Sequence, residues 1–370
     1  MKAVAVNPLR RRVGVVDHPQ PEVTRPDDVR FRILEVGICG TDREICSFAY
    51  GWPPAGFEHL VLGHEGLGVV TAVGDGVPDL KPGDLVVPTV RRPCPHAHCS
   101  PCRAGRPDFC ITGDFVERGI NQVHGFMTEQ VVEHRDHLVK VPPGLRDVAV
   151  LLEPLSVAEK GLEQYWNVQN RFGFGQPVKP DGGGYKCVVL GAGPIGILGA
   201  MAFKADGFDV VCYSRSRKPN HKAELVEAFG VPYISAEEVT PRELAERLGR
   251  IDVVYEGVGS GHIAYDVLEH LGLNGVVILT GIPADHDKAH LVKTDRLMRR
   301  MVLNNQVMLG TVNAGRNAFE NGLRHMEQFM ARWPDAMRRI ITGRVDAHRG
   351  PELLLARPRG IKEVLTFSAE

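Results

Sequence analysis

The sequence predicts an α/β protein built from a β-rich first domain and a doubly wound parallel-sheet domain. Three observations carry this. Over the first 150 or so residues, short valine-rich segments are separated by Gly, Pro and Asp, with few helical periods. At Cys187 the texture changes to apolar strand runs alternating with helical patterns, the order that yields a parallel sheet. The glycine-rich run 191–196 follows the first of those strands directly. A chain of 370 residues also exceeds the usual size of one domain.

In chain order, residues 29–36, 68–73 and 84–89 read as strands. Gly74-Asp75-Gly76 and Lys81-Pro82-Gly83-Asp84 mark the turns between them. An all-β start of this kind closes into a partly open barrel. Residues 154–168 read as a helix, since Leu155, Ala158, Leu162 and Tyr165 recur at three- and four-residue steps on one face. The Gly/Pro-rich stretch 173–184 reads as a surface loop. Strands follow at 187–190, 209–213, 251–255 and 275–280, with a helix reaching to about 206 after the first. Beyond Asn305 the pattern predicts one more strand, a helix over 318–332 and a closing stretch. The expected domains are 1–156 for the β-rich part, 157–305 for the nucleotide-binding part and 306–370 for a return to the first.

A hydrophobic fraction of 43% with 24% charged residues is ordinary for a globular protein. The net charge of −1 argues against nucleic acid as a partner, and Arg10 to Arg12 and Arg299-Arg300 read as solvated faces. The apolar stretch 188–203 is broken by Gly and Pro, which argues against a membrane span. MKAVAVNPLRRR carries no apolar h-region. The eight cysteines therefore read as thiols or metal ligands, and the expected address is cytoplasmic.

Gly191-Ala-Gly193-Pro194-Ile195-Gly196 matches G-x-G-x-x-G between a strand and a helix. The first glycine permits a tight turn, the second lets backbone approach a pyrophosphate, and the third allows close helix–strand packing. The helix starting near Pro194 offers free N–H groups to phosphate. At the end of the next strand stands Tyr213-Ser214-Arg215-Ser216-Arg217-Lys218, with no acid to bind a ribose 2′-hydroxyl. Ser214 can donate a hydrogen bond and Arg215 can pair with a 2′-phosphate. NADP is the expected cofactor; if these cations are only a solvated loop, NAD serves too.

Cys94, Cys99, Cys102 and Cys110 gather four soft ligands within one loop, the set a closed structural zinc requires. His96-x2-Cys99 has the tighter spacing, so His96 rivals Cys94 as first ligand. A second set is scattered: Cys39 in Gly37-Ile-Cys39-Gly40-Thr41-Asp42, and His64 and Glu65 in Gly63-His64-Glu65-Gly66. A thiolate, an imidazole and a carboxylate can hold zinc with one position open. Singly, each of these residues has a bland reading as a core or hydrogen-bonded side chain.

Together, Gly63-His64-Glu65-Gly66-Leu-Gly68, Val73-Gly74, Lys81-Pro82-Gly83-Asp84, the cysteine loop and the glycine run resemble the zinc-containing medium-chain alcohol dehydrogenase superfamily over essentially the whole chain. Gly40-Thr41-Asp42-Arg43-Glu44, Val90-Arg91-Arg92, residues 115–120, His124-Gly125-Phe126-Met127, Leu152-Glu153-Pro154-Leu155 with Glu159-Lys160, and Leu309-Gly310-Thr311-Val312-Asn313 resemble its glucose 1-dehydrogenase (NAD(P)+) family. The longer first cysteine gap and Val90 depart from that pattern. The resemblance implies a GroES-like catalytic domain, an inserted Rossmann domain, and a homodimer or homotetramer.

It also implies roles. Cys39 and His64 would bind a catalytic zinc, with Glu65 and Glu153 supplying carboxylates. Thr41, Glu117, Glu153 and Asn313 would face sugar hydroxyls, although Glu117 alone reads as a surface salt-bridge partner of Arg118 or a neighbour. Asn305 would join Gly191, Gly193, Pro194, Ile195, Gly196, Ser214 and Arg215 at the cofactor. Zinc would acidify the C1 hydroxyl of a cyclic sugar, C1 would give hydride to NADP, and Thr41 with Glu65 or Glu153 would relay the proton. The same chemistry on another polyol or amino alcohol (galactose, xylose, sorbitol, threonine) is the alternative. A non-catalytic NADPH-binding zinc protein is a second, and a zinc-free quinone reductase would lack both ligand sets.

Overall fold

Alternating burial in the first third of the chain and unbroken apolar runs after Lys186 produce sheets of opposite character: three mainly antiparallel ones first, then one six-stranded parallel sheet. The computed structural model describes residues 1–173, 184–283 and 290–367. It divides into two units, Met1–Ser156 with Asn313–Glu327 and Met337–Glu370, and Val157–Val312 with Gln328–Ala336.

In the first unit, β1 (Lys2–Asn7) and β2 (Arg12–Asp17) form an antiparallel hairpin. The long β3 (Asp28–Gly37) leads into α1 (Gly40–Cys46), and β4 (Leu60–Val61) pairs back onto β1. There follow β5 (Glu65–Val73), β6 (Leu85–Pro88), β7 (Arg91–Arg92), α2 (Ser100–Arg103), β8 (Val116–Arg118), β9 (Gln122–Val123), β10 (Gln130–His134) and β11 (Leu138–Val141). β3 is the hub. It pairs along its length with β5, and a register shift between Ile33 and Glu35 bends the pair as a barrel wall requires. Phe31, Ile33, Val36, Leu60, Phe126 and Met127 fill the interior. The predicted strands are thus present, each end within three residues of its expected place. α1 was not predicted, being too short to show a helical period.

Helix α3 (Leu152–Gln169) covers the predicted 154–168 and buries Leu155, Ala158, Leu162 and Tyr165. Of the loop expected at 173–184, residues 174–183 lie outside the described residues.

The second unit runs β12 (Lys186–Leu190), α4 (Pro194–Ala205), β13 (Asp209–Ser214), α5 (His221–Ala228), β14 (Tyr233–Ser235), α6 (Pro241–Leu248), β15 (Val253–Glu256), α7 (Gly261–Leu268), β16 (Val276–Leu279), α8 (Thr294–Leu303) and β17 (Val307–Gly310). All six strands are parallel in the order β14-β13-β12-β15-β16-β17, so the winding reverses between β12 and β15. Every residue of β15, and Cys187 to Leu190 of β12, is buried, as a sheet covered on both faces demands. Because β17 pairs with β16, the parallel sheet extends past residue 305, where the sequence placed its end.

Helices α9 (Arg316–Arg332) and α10 (Pro334–Arg339) precede β18 (Ile341–Asp346), α11 (Gly350–Leu355) and β19 (Lys362–Thr366). The closing stretch therefore holds two strands: β19 sets Val364 opposite Gly37 of β3, and β18 pairs with β19. Among the described residues no helix is long and apolar enough to cross a membrane.

Candidate active site and metal centres

Cys39 sits at the amino end of α1, where the chain leaves β3. Asp42, in the first turn, accepts the Cys39 N–H at 2.9 Å and the Gly63 N–H at 3.3 Å. That carboxylate joins two segments and brings the thiol toward His64 and Glu65 at the start of β5. One ligand atom from each of Cys39, His64 and Glu65 lies within 4.8 Å of the others. Asp42 Oδ1 stands 3.4 Å from His64 Nδ1, with Asp42 fully buried, so that ring nitrogen faces a carboxylate of the kind that orients metal-binding imidazoles. Against the burial that disfavours its charge, Asp42 and Cys39 hold the His64 imidazole well above the usual histidine range.

Both Glu65 oxygens lie 2.7 Å from Lys362 Nζ of β19, which also donates to the Ile38 carbonyl. Glu153, at the start of α3, is 8% exposed. Burial pushes its carboxyl up to about 7, Glu65 adds to the rise, and His64 and Lys362 oppose it. The sulfur–nitrogen–carboxylate set suits zinc, and the buried, unpartnered His64 Nδ1 is an orphan that a proton shared with Asp42 would satisfy.

The four loop thiols, Cys94, Cys99, Cys102 and Cys110, also fall within 4.8 Å of one another. Cys99 Sγ to Cys110 Sγ is 3.9 Å, close to the edge of about 3.8 Å that a tetrahedral Zn–S distance of about 2.3 Å generates. His96 turns away, its Nε2 2.8 Å from Asp114. Of the two candidates for first ligand, Cys94 is the one brought to the set.

Glu117 on β8 and Asn313, distant in sequence, meet: Asn313 Nδ2 donates to Glu117 Oε1 at 3.0 Å. Arg91 donates to the same oxygen at 3.0 Å and stacks its guanidinium 3.6 Å from the Phe115 ring centroid. Glu117 thus forms a salt bridge with a neighbour, Arg91, but the pair is largely buried and not at the surface. Glu117 Oε2 has no partner among the described residues. Arg118 instead joins Arg92 on the buried Glu133. Against the cost of burial, the two guanidinium groups hold Glu133 well below the usual carboxylate range. Thr41 lies beside the hydroxyl of Tyr50, which donates to Glu44 at 3.1 Å.

In the second unit, Gly191 has φ +97°, a backbone state that L side chains rarely adopt. A Cβ on Gly196 would meet the Gly191 carbonyl at 2.1 Å, whereas one on Gly193 would meet nothing within 4 Å. The second glycine thus faces open space at the amino end of α4, where Pro194 and Ile195 open the helix, and a helix end of this kind can accept a phosphate group. Ser214 closes β13 and Arg215 follows it, exposed. Arg217 pairs with Glu237 and Lys218 with Glu227, while Arg215 has no ion-pair partner among the described residues. Asn305 is not brought to this place. It precedes β17, at the amino edge of the parallel sheet, and its carbonyl accepts from Arg171; dinucleotides bind at the carboxyl edge.

A family model described as "Glucose dehydrogenase C-terminus" matches residues 146–367, more than half of the chain, and one described as "Alcohol dehydrogenase GroES-like domain" matches residues 25–143. The chain belongs to the glucose dehydrogenase family. Within that family it is 38% identical to the glucose 1-dehydrogenase of Methanocella arvoryzae over 372 residues, covering 100% of both chains. It is also 38% identical to that of Thermoproteus tenax, covering 99% of each. Its fold matches the Haloferax mediterranei glucose dehydrogenase solved with NADP, Zn and gluconolactone, with TM-score 0.87, 30% identity and 100% coverage of both chains.

For this glucose dehydrogenase family chain the sequence missed Asp42, Lys362, Arg91 and Tyr50. Asp42 had a local signal, standing three residues after Cys39 where a cap carboxylate belongs. Lys362 had none.

Proposed function

We propose that this chain oxidises the C1 hydroxyl of D-glucose to the lactone, with NADP+ as acceptor and NAD+ as a weaker substitute. The observation that carries the reading is the presence in one unit of the Cys39–His64–Glu65 set and the Glu117–Asn313 pair. When bound there, zinc supplies a Lewis acid that acidifies the sugar hydroxyl, and the nicotinamide accepts hydride from C1.

The chain's own residues do the rest. Asp42 orients the His64 ring, and Lys362 holds Glu65 in place. Glu153, a buried carboxyl beside the set, is the acceptor for the hydroxyl proton, and the Thr41 hydroxyl can pass it on. Arg91 and Asn313 fix one Glu117 oxygen and leave Oε2 for a sugar hydroxyl, which needs a replacement partner once it leaves water. The free cation of Arg215 suits a 2′-phosphate.

NADPH formation from D-glucose and NADP+ tests the reading. The expected result is a rate abolished by chelator and restored by Zn2+; no rate with glucose but a rate with another polyol would replace the substrate. In the same assay Arg215→Ala is expected to raise KM for NADP+ about 10- to 100-fold, the worth of one charge-assisted bond, with KM for NAD+ little changed. Equal effects on both cofactors would remove Arg215 from the phosphate.

We further propose that the chain assembles with copies of itself through β17. Among the described residues this edge strand is unpaired on one side, and α8 beside it in sequence exposes Met298, Val302 and Leu303 at 64%, 71% and 64%. Light scattering is expected to give twice or four times the chain mass, and a monomer at micromolar concentration would overturn it. A cytoplasmic address fits cysteines used as thiol ligands.

A further inference from the structure

Away from the two centres, one ring nitrogen from each of His18, His59 and His124 lies within 4.8 Å of the others. The three share no residue with the sets described above. His18 follows β2, His59 precedes β4 and His124 follows β9, so three separate segments of the barrel unit meet here. The ring centroids are 5.6 Å apart for His18–His59, 4.6 Å for His18–His124 and 5.5 Å for His59–His124.

Three imidazoles on one tetrahedral zinc at about 2.0–2.1 Å would place their ligating nitrogens about 3.3 Å apart and their centroids about 5 Å apart. His59 Nε2 stands 3.4 Å from His18 Nδ1, long for a hydrogen bond but near that tetrahedral edge. His124 Nε2 is buried and has no hydrogen-bond partner among the described residues, a state that buried nitrogens seldom keep. Phe57 stands edge-on to His124, with centroids 4.5 Å apart, and walls one side with apolar surface.

The surroundings also keep the rings neutral. Burial is the first cause for each, with His59 lowering His18, and both His18 and His59 lowering His124 to about 3. Neutral imidazole is the form that binds metal, so protons do not compete near pH 7.

We propose that His18, His59 and His124 form a third metal site, for a divalent ion of the zinc class. Three imidazoles without a carboxylate suit Zn2+, Ni2+ or Co2+ and disfavour Mg2+ and Ca2+. Three protein ligands leave a fourth position for water, so this ion exchanges more readily than one closed in by four thiolates. His124 ligates through Nε2; its ring proton moves to Nδ1, and the 3.2 Å contact from the Val61 amide is given up. The ion clips the end of the β1–β2 hairpin to the β4 and β9 segments, and it stabilises the folded chain because only the folded chain assembles the site.

The test compares wild type with the double variant His59→Gln/His124→Gln, both dialysed against buffered Zn2+. Wild type is expected to hold one more zinc equivalent per chain and to gain a Zn2+-dependent rise in melting temperature that the variant lacks. Turnover at saturating zinc is expected to be equal in the two. His262, Asp266 and His290 form another, more exposed group, so the readout is the difference between the proteins and not the total. Equal zinc content, with equal melting shifts, would make the three rings an aromatic packing cluster and overturn the proposal. Should the double variant not fold, Co2+ added to wild type from which a mild chelator has stripped the exchangeable metal decides. Weak visible d–d bands without thiolate charge transfer, lost in the single variant His18→Gln, support the site; no such bands overturn it.

Discussion

Cys39→Ser is expected to lower turnover with sugar by about a thousandfold or more, while the melting profile stays near that of wild type. Serine keeps the backbone geometry at the head of α1, because the cap rests on the Asp42 carboxylate accepting the residue 39 N–H. A hydroxyl does not ionise as a thiol does, so the softest ligand of the Cys39–His64–Glu65 set is lost. Lewis-acid stabilisation of the developing alkoxide is worth several kcal/mol, and about 4 kcal/mol corresponds to a thousandfold in rate. Zinc content and kcat measured on the same preparation check this. A variant that keeps its rate after chelation would show that the centre is not the seat of the reaction.

Glu133→Gln is expected to be the most damaging of the conservative changes to stability. Arg92 and Arg118 both bond to Glu133, which is 6% exposed. Removing its charge leaves two guanidinium groups in a buried place without their counter-charge, a loss of about 3–5 kcal/mol. Urea unfolding followed by tryptophan fluorescence measures it. The pH dependence has a definite sign. The folded carboxyl is held below its ordinary value of 4.5, so the stabilisation is full above that pH and is lost as pH falls toward the folded value. The gap between wild type and variant should therefore be widest near neutrality and narrow in acid. A gap constant down to pH 3 would assign the network's worth to packing and not to charge.

What the sequence made legible was local. Gly191, Gly193 and Gly196 could be read because turn, approach and packing each leave a residue within a six-residue window. Cys94, Cys99, Cys102 and Cys110 could be read because one loop carries all four. What pattern alone could not show depends on chain closure. Lys362 reaches Glu65 only because β19 pairs with β3, and no periodicity in either segment records that pairing. Choosing Arg91 over Arg118 for Glu117 needed the antiparallel register of β7 and β8, which sets Arg91 opposite Glu117. Asn305 misled because nearness in sequence to the active-site segment says nothing about which edge of a parallel strand a residue occupies. His18, His59 and His124 have no common spacing at all.

The pairing of β19 with β3 also orders the events of synthesis. Cys39, His64 and Glu65 leave the ribosome early, yet the cation that offsets Glu65 is translated only after the entire nucleotide unit. Until then Glu65 has no Lys362, and the end of β3 from Glu35 to Gly37 lacks the partner that β19 supplies. A nascent chain can therefore present the glycine-rich turn 191–196 before the Cys39–His64–Glu65 set has its lysine. Lys362 makes the completion of that set a late step of biogenesis.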